Sequence, residues 1–288
     1  MPAGTDVVKA ALWMTGAIAS FTSMAVAGRA VSHQLDTFEI MSYRSLVGVI
    51  IVVLVLFLRG KLAEVRLRKL RLHLVRNVCH FAGQNLWFFA ITVIPLAQVF
   101  ALEFTSPLWV VLLSPLVLGE RLTPIRVLSA VIGFIGILIV ARPSPESVDI
   151  GQLAAALAAV GFAGAILTTR KLTRTENVAS VLFFLTTMQA AMGLICAGID
   201  GDIALPSAQT APWLVLIGAA GLLAHFCLTT ALSLAPATVV VPIDFTRLPL
   251  IAVIGMLFYN EPLDLFVLLG ALVIFGGNYL NIWSETRD

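Results

Sequence analysis

Apolar residues arrive in blocks. From Val7 onward the chain alternates stretches of about 20 mostly apolar positions with short polar joints, and a block of that length spans about 30 Å of hydrocarbon as a helix. The pattern predicts ten spans, at approximately 7–29, 36–58, 70–92, 95–118, 123–142, 149–170, 177–199, 211–233, 236–259 and 262–283. With the joints so short, no mass remains for a water-soluble domain. The predicted fold class is therefore an all-α integral membrane protein of ten transmembrane helices. The first block is longer than the apolar core of a cleaved signal sequence and more spans follow at once, so it reads as a retained helix.

The polar interruptions repeat along the chain. The stretch VFALEFTSPLWVVLLSPLVL (Val99 to Leu118) is echoed by VVVPIDFTRLPLIAVIGMLF (Val239 to Phe258). At an offset of 141 residues, Glu103 meets Asp244, Pro95 meets Pro236, Phe104-Thr105 meets Phe245-Thr246, Glu120 meets Glu261, and Gly136 meets Gly277. The chain thus divides into two five-helix repeats, 1–143 and 144–288, with helices over roughly 7–142 and 149–283. Five is odd, so the second repeat is expected upside down relative to the first, and inverted repeats place a substrate site near the midplane between them. Assigning joints alternately to two sides puts Lys9, Arg59, Lys61, Arg66, Arg68, Lys69, Arg71, Arg76, Arg121, Arg126, Arg170, Lys171, Arg174 and Arg287 on one side, and only Arg29 and Arg142 on the other. Positive charge marks the cytoplasmic face, so both termini are expected there.

Composition sharpens this reading. The 288 residues are 59% apolar and 12% charged, with a mean hydropathy of +1.00, whereas about a quarter of an ordinary soluble domain is charged. Of 16 acidic and 18 basic residues, only Glu103, Asp244, Arg44 and Arg247 fall well inside spans. A charge at that depth costs on the order of 3 kcal/mol and is expected to face the protein interior. Asp244 and Arg247, three residues apart, share a helical face and can pair. Glu103, Ser106, Pro107, Val110 and Ser114 share a face of the fourth span, and Asn77, His80, Gln84 and Phe88 share one of the third. Pro107 and Pro249 each remove a backbone donor close to an acid, freeing carbonyls that need a partner.

Each of these residues also has a plainer reading. Asp244–Arg247 suits a buried structural pair, Arg44 a snorkelling side chain, His80 and His225 satisfied core histidines, and Trp87 and Trp109 packing. Glu120 and Glu261 read as caps of the helices that follow them. Gly133, Gly136, Gly161, Gly164, Gly276 and Gly277 read as close-approach points between helices. Cys79, Cys196 and Cys227 read as small buried side chains, with neither a disulfide framework nor a metal site. The basic run from Arg59 to Arg76 fits a topology signal, and its charge also suits contact with anionic membrane lipid. No phosphate-binding loop, His-Glu-x-x-His, Cys-x-x-Cys or Gly-x-Ser-x-Gly occurs, so neither a cofactor, a metal, a nucleic acid nor an enzymatic activity is expected.

The segments PLAQVFALEFTSPLWVVLLSPLVLGERLT and APATVVVPIDFTRLPLIAVIGMLFYNEPLD, with Tyr43-Arg44 in the second span, resemble the EamA group of the drug/metabolite transporter superfamily. The resemblance covers nearly the whole chain, and Leu118-Gly119-Glu120-Arg121 is its sharpest part. In the second half Asn260-Glu261-Pro262 replaces Gly-Glu-Arg, and Pro249 lies one place later than Pro107. The resemblance implies a secondary transporter in the bacterial inner membrane that exports small metabolites, with exporters of aromatic and neutral amino acids closest in layout. An amino-acid substrate would set its carboxylate near Arg247 or Arg44 and its ammonium near Glu103 or Asp244, with Phe88, Trp87 or Trp109 beside its side chain. His80, Gln84 and His225 complete the expected binding set, in a cavity lined by the third, fourth, eighth and ninth spans. Three rival readings stand beside it: proton-coupled efflux of organic cations through Glu103 and Asp244, a membrane-embedded enzyme using His80 and Glu103, and a passive channel.

Overall fold

The computed structural model describes residues 7–65, 68–119, 123–142, 149–172, 175–199, 201–234, 243–244 and 246–285. The sequence readings placed on Arg66, Glu120, Arg121, Arg174, Pro236, Phe245, Arg287 and the side chain of Arg170 lie outside the described residues. Among the described residues the chain is helical and has no strand. The helices are α1 (Val7–Val31), α2 (Thr37–Leu58), α3 (Leu70–Val93), α4 (Leu96–Glu103), α5 (Ser106–Leu118), α6 (Pro124–Ala141), α7 (Ile150–Leu172), α8 (Val178–Ala197), α9 (Ala211–Leu234), α10 (Arg247–Tyr259) and α11 (Leu265–Glu285).

Local chemistry fixes the ends. Asp36 caps α2 through a reciprocal box in which its carboxylate accepts from Glu39 N–H and Glu39 accepts from Asp36 N–H, both at 2.8 Å. Thr123 and Asn177 cap α6 and α8 in the same sense. Gly119 (φ 72°) and Asn260 (φ 53°), 141 residues apart, terminate α5 and α10 in the left-handed conformation that stops a helix.

Seven stretches among the described residues are long and apolar enough to cross a membrane: α1, α2, α4 with α5, α6, α7, α8 and α9. The broad class expected from the sequence, an all-helical membrane protein, holds, whereas that criterion does not reach ten. For α3 the shortfall has a physical cause. α3 is long enough but carries His73, Arg76, Asn77, His80, Gln84 and Asn85, all buried against protein. α10 and α11 contribute shorter apolar stretches.

The halves interleave. α1 packs on α9, α2 on α8, α3 on α7, α6 on α11 and α4 on α10. Exchanging the repeats maps the first four of these pairings onto themselves. Small residues allow the closest approaches. A methyl group added at Gly136 meets Ile274 and the Gly270 carbonyl, one at Gly277 meets the Ser129 carbonyl, and one at Gly161 meets the backbone of Cys79 and Gly83. Gly276 departs from expectation, since it faces open space. The three cysteines are free, with Cys79 against Gly164 and Cys227 against Gly16.

Polar contacts between joints gather at two ends of the bundle. At one end Arg29, near the end of α1, forms an ion pair with Glu261 after α10 and donates to the Ile91 and Ile94 carbonyls, and its guanidinium lies 4.8 Å from the Tyr259 ring. Arg142 pairs with Asp264, and Tyr43 donates to the Ala204 carbonyl at 2.9 Å, at this same end. At the other end Asn177 donates to the Glu64 carbonyl, and Lys171 approaches that of Val117. Two sequence readings are corrected here. Glu261 does not cap the helix after it but accepts from Leu96 N–H at 2.9 Å, the free N-terminus of α4 in the other repeat. Arg76, read as the last residue of a basic run that marks one membrane face and suits contact with lipid, is 7% exposed and donates to Thr169 and Asn77, because α3 turns that residue inward against α7.

Two outcomes are expected. Gly277→Ala should lower the thermal midpoint in detergent by an amount corresponding to about 1–3 kcal/mol, because the Ser129 backbone must give way, while the adjacent Gly276→Ala leaves it unchanged. Glu261→Ala strands a largely buried guanidinium and an uncapped N–H, so a loss of about 3–5 kcal/mol is expected by the same measurement.

Candidate functional site: a charge cluster at two broken helices

The fourth span is not one helix. α4 stops at Glu103, Phe104-Thr105 form a turn, and α5 restarts at Ser106-Pro107, where a proline at the first turn is tolerated. The second half has the same break. Thr246 precedes α10 with φ −64° and ψ −14°, against −78° and −11° at Thr105. Each threonine hydroxyl donates to the carbonyl three residues back, Leu102 or Ile243, at 2.7 Å. The Glu103 and Phe104 carbonyls released in the first half are taken up by protein. Ser106 Oγ donates to Glu103 at 2.7 Å, and Asn278 Nδ2 of α11 donates to Phe104 at 2.8 Å. Short side chains thus supply the partner that the sequence analysis required for these carbonyls.

The two breaks bring the interior acids together. Arg247 Nη2 donates to Glu103 Oε1 and to Asp244 Oδ2, both at 3.2 Å. Glu103 Oε2 accepts from Trp87 Nε1 at 2.8 Å. The guanidinium carbon lies 4.8, 4.9 and 5.0 Å from the ring centres of Phe21, Phe100 and Phe104. Rings at this distance favour a cation through their negative faces, and the effect grows on desolvation. The Arg247 side chain is only 4% exposed, while those of Glu103 and Asp244 keep 18% and 23%. Asp244 Oδ1 and Arg247 Nε are buried without a hydrogen-bond partner among the described residues. The cluster therefore has one sealed cation, two reachable carboxylates and an excess of one negative charge.

A second group lies on α2, α3 and α9. Arg44 Nη1 donates to Gln84 Oε1 and lies 3.5 Å from Met41 Sδ, and its guanidinium is 5.9 Å from the Phe88 ring centre. His80 and His225 face each other at 6.2 Å, and Phe21 meets His225 edge-on at 5.7 Å. Phe88 meets Trp87 edge-on at 5.3 Å. Through Phe21 on one side and Phe88–Trp87 on the other, this group adjoins the Arg247 cluster.

The structure thus brings Arg44, His80, Gln84, Phe88, Glu103, His225, Asp244 and Arg247 into one connected region. Trp109 is not brought in. Its ring packs edge-on against Phe134 of α6 at 4.9 Å, because the turn at Phe104-Thr105 separates α5 from the face that bears Glu103. Phe21, Phe100 and Asn278 belong to the region and carried no sequence signal beyond, for Asn278, one amide in an apolar span. An apolar groove of about 630 Å³ between α6 and α11, lined by Ile139, Phe266, Leu269 and Val273 among others, shares no residue with the cluster.

Comparison with known proteins agrees with this architecture. The sequence profile of the EamA-like transporter family matches twice, over residues 8–142 and 149–283. A riboflavin transporter of Brucella anthropi is 33% identical over 243 residues, which is 83% of this chain and 86% of the relative. An S-adenosylmethionine uptake transporter of Rickettsia felis is 26% identical over 96% of this chain and 92% of its own. A solved crystal structure superposes with a TM-score of 0.65 at 19% identity, covering 96% of this chain and 98% of that one, and shows the same fold. The chain belongs to the EamA-like transporter family and is a membrane transporter, not an enzyme.

Proposed function

We propose that this protein is a secondary carrier of a small ring-bearing metabolite, moved by alternating access through the region between the Glu103–Arg247–Asp244 cluster and Arg44. The observation that carries the reading is the mismatch in exposure within that cluster. Arg247 is sealed, yet both carboxylates that hold it remain reachable and Asp244 Oδ1 has no donor. A buried acceptor left open costs about 1–3 kcal/mol. A substrate N–H group relieves that cost on binding, and Arg247 re-pairs the carboxylates when the substrate leaves.

Ten crossings in two inverted repeats, 1–143 and 144–288, support the transport cycle. The contacts between joints gather at two ends, and each end joins only every second joint along the chain. The basic joints support a cytoplasmic placement of both termini, and the family resemblance supports the inner membrane.

Substrate chemistry follows from the rings. Phe21, Trp87, Phe88 and Phe100 border the charged groups. Riboflavin and S-adenosylmethionine, for which the relatives are named, each carry a flat nitrogen heterocycle. The amino-acid export implied by the sequence resemblance is replaced here by transport of a heteroaromatic metabolite, with uptake as its direction after the Rickettsia relatives. Proton coupling through Glu103 and Asp244 belongs to the same proposal, since these are the interior acids a proton can reach.

The test is flux into proteoliposomes, with labelled riboflavin, S-adenosylmethionine, tryptophan and tetraphenylphosphonium offered in parallel. Saturable uptake of a heteroaromatic compound is expected, falling more than tenfold in both Glu103→Gln and Asp244→Asn while elution as a folded monodisperse species is retained. Wild-type rates in both variants would contradict the role of the cluster, and flux confined to tryptophan or to the lipophilic cation would contradict the substrate class.

A further inference from the structure

The interior charges do not compensate one another in place. Glu103, Asp244 and Arg247 form a closed group with one excess negative charge, while Arg44 meets no carboxylate among the described residues. Arg44 lies about two turns into α2, half-buried, with its guanidinium turned onto Gln84 of α3. A guanidinium has five N–H donors in a planar fork. Here the two on Nη1 face Gln84 Oε1 and Met41 Sδ. The Nε and Nη2 donors on the other edge have no protein acceptor among the described residues. That edge is the side-on fork that takes two oxygens of a carboxylate or phosphate at once.

A glycine on α9 admits the Arg44 head. Position 221 corresponds to His80 at the 141-residue offset, and it is Gly221. A methyl group there comes within 3.2 Å of Arg44 Nη2. The second repeat thus omits a side chain where the first has an imidazole, and the Arg44 head occupies the space. Position 185, equivalent to Arg44, is Leu185, so the guanidinium is not a feature both repeats need for folding. His80 and His225 lie within electrostatic reach of both Arg44 and Arg76, and Arg76 is itself buried among neutral partners. This side of the interior is consequently positive and the Glu103–Asp244 side negative, with Phe88 and Trp87 between them.

Resting on the carrier reading above, we propose that Arg44 is the anion subsite: its Nε/Nη2 edge grips a carboxylate or phosphate of the transported metabolite, whose ring lies against Phe88 and whose donor end faces Asp244. This assigns to Arg44 the role that the sequence divided between Arg44 and Arg247, since Arg247 is sealed by its own acids and rings. The substrate class becomes a metabolite carrying an anionic group at one end and hydrogen-bond donors at the other.

Matched probes test this whatever the natural substrate is. Riboflavin and flavin mononucleotide differ by a phosphate, S-adenosylmethionine and its decarboxylated form by a carboxylate, and tryptophan and tryptamine likewise. Binding to purified protein in phosphatidylcholine nanodiscs is read by tryptophan fluorescence and thermal shift. In at least one pair the anionic member should bind tenfold or more tightly than its partner. Arg44→Gln should bring that ratio to about one with the affinity of the partner unchanged, and Arg44→Lys, which keeps the charge without the fork, should leave a ratio of two to three. Equal ratios in wild type and both variants, or no anionic preference in any pair, overturn the proposal. Nanodiscs containing phosphatidylglycerol separate the two sources of an anion, and loss of the preference there would assign the site to a lipid headgroup and overturn the substrate role. Flux of labelled probes keeps the two readings apart. Transport that is indifferent to the anionic group and to Arg44→Gln defeats the subsite but leaves the carrier, whereas binding without flux defeats the carrier but leaves the subsite.

Discussion

A guanidinium has no stable place among hydrocarbon unless an acceptor meets it, and this constraint organises the molecule. Arg247 in the second repeat is met by Glu103 of the first, and Arg29 of the first repeat by Glu261 of the second. Each of these pairs joins one repeat to the other, with Asp244 adding a second acceptor for Arg247 from its own repeat. The packing has the same character, with the most extensive helix contacts all crossing between halves. Removing one partner leaves an uncompensated buried ion, which is far more costly than the pair itself is worth. The ion pairs therefore specify which halves meet, and in what register, more than they add to stability.

The helix breaks translate that constraint into a site. An unbroken fourth helix would carry Glu103 and Ser106 down one continuous face. The turn at Phe104-Thr105 instead ends α4 on the acid itself, while Thr105, Ser106 and Asn278 take up the carbonyls that the turn releases. The matching turn at Thr246 sets Arg247 at the first position of α10 with Asp244 one turn before it. Two irregular segments at membrane depth are tolerated because protein surrounds them. Backbone demands are met locally, and the charged side chains are left to face each other and the interior.

Much of this was legible in the sequence, because a charge in an apolar run stands out against its surroundings. Glu103, Asp244, Arg247 and Arg44 declared themselves that way, and the 141-residue echo revealed the repeat. Long-range pairing was not legible. Glu103 and Arg247 lie 144 residues apart, and nothing local indicates that they meet. Phe21 and Phe100 were invisible for the opposite reason, since an aromatic residue in an apolar helix offers no contrast. Pro107 signalled a missing donor but not a full break, as a membrane helix can bend at proline and continue. Glu261 was misassigned because a cap was sought in the adjacent helix, while the free N–H group lay in the other repeat at Leu96.

Transport by this protein requires that the broken fourth and ninth spans border a space reachable in turn from each side of the membrane. Val110, half-buried on the face that also bears Pro107 and Ser114, is suited to report it. With Cys79, Cys196 and Cys227 replaced by alanine, a single Val110→Cys in sealed vesicles is offered a membrane-impermeant thiol reagent from the outside and, in inverted vesicles, from the inside. Labelling from both sides is predicted, with substrate shifting the two rates in opposite directions. Protection from both sides, with and without substrate, would show a closed protein core and contradict the account.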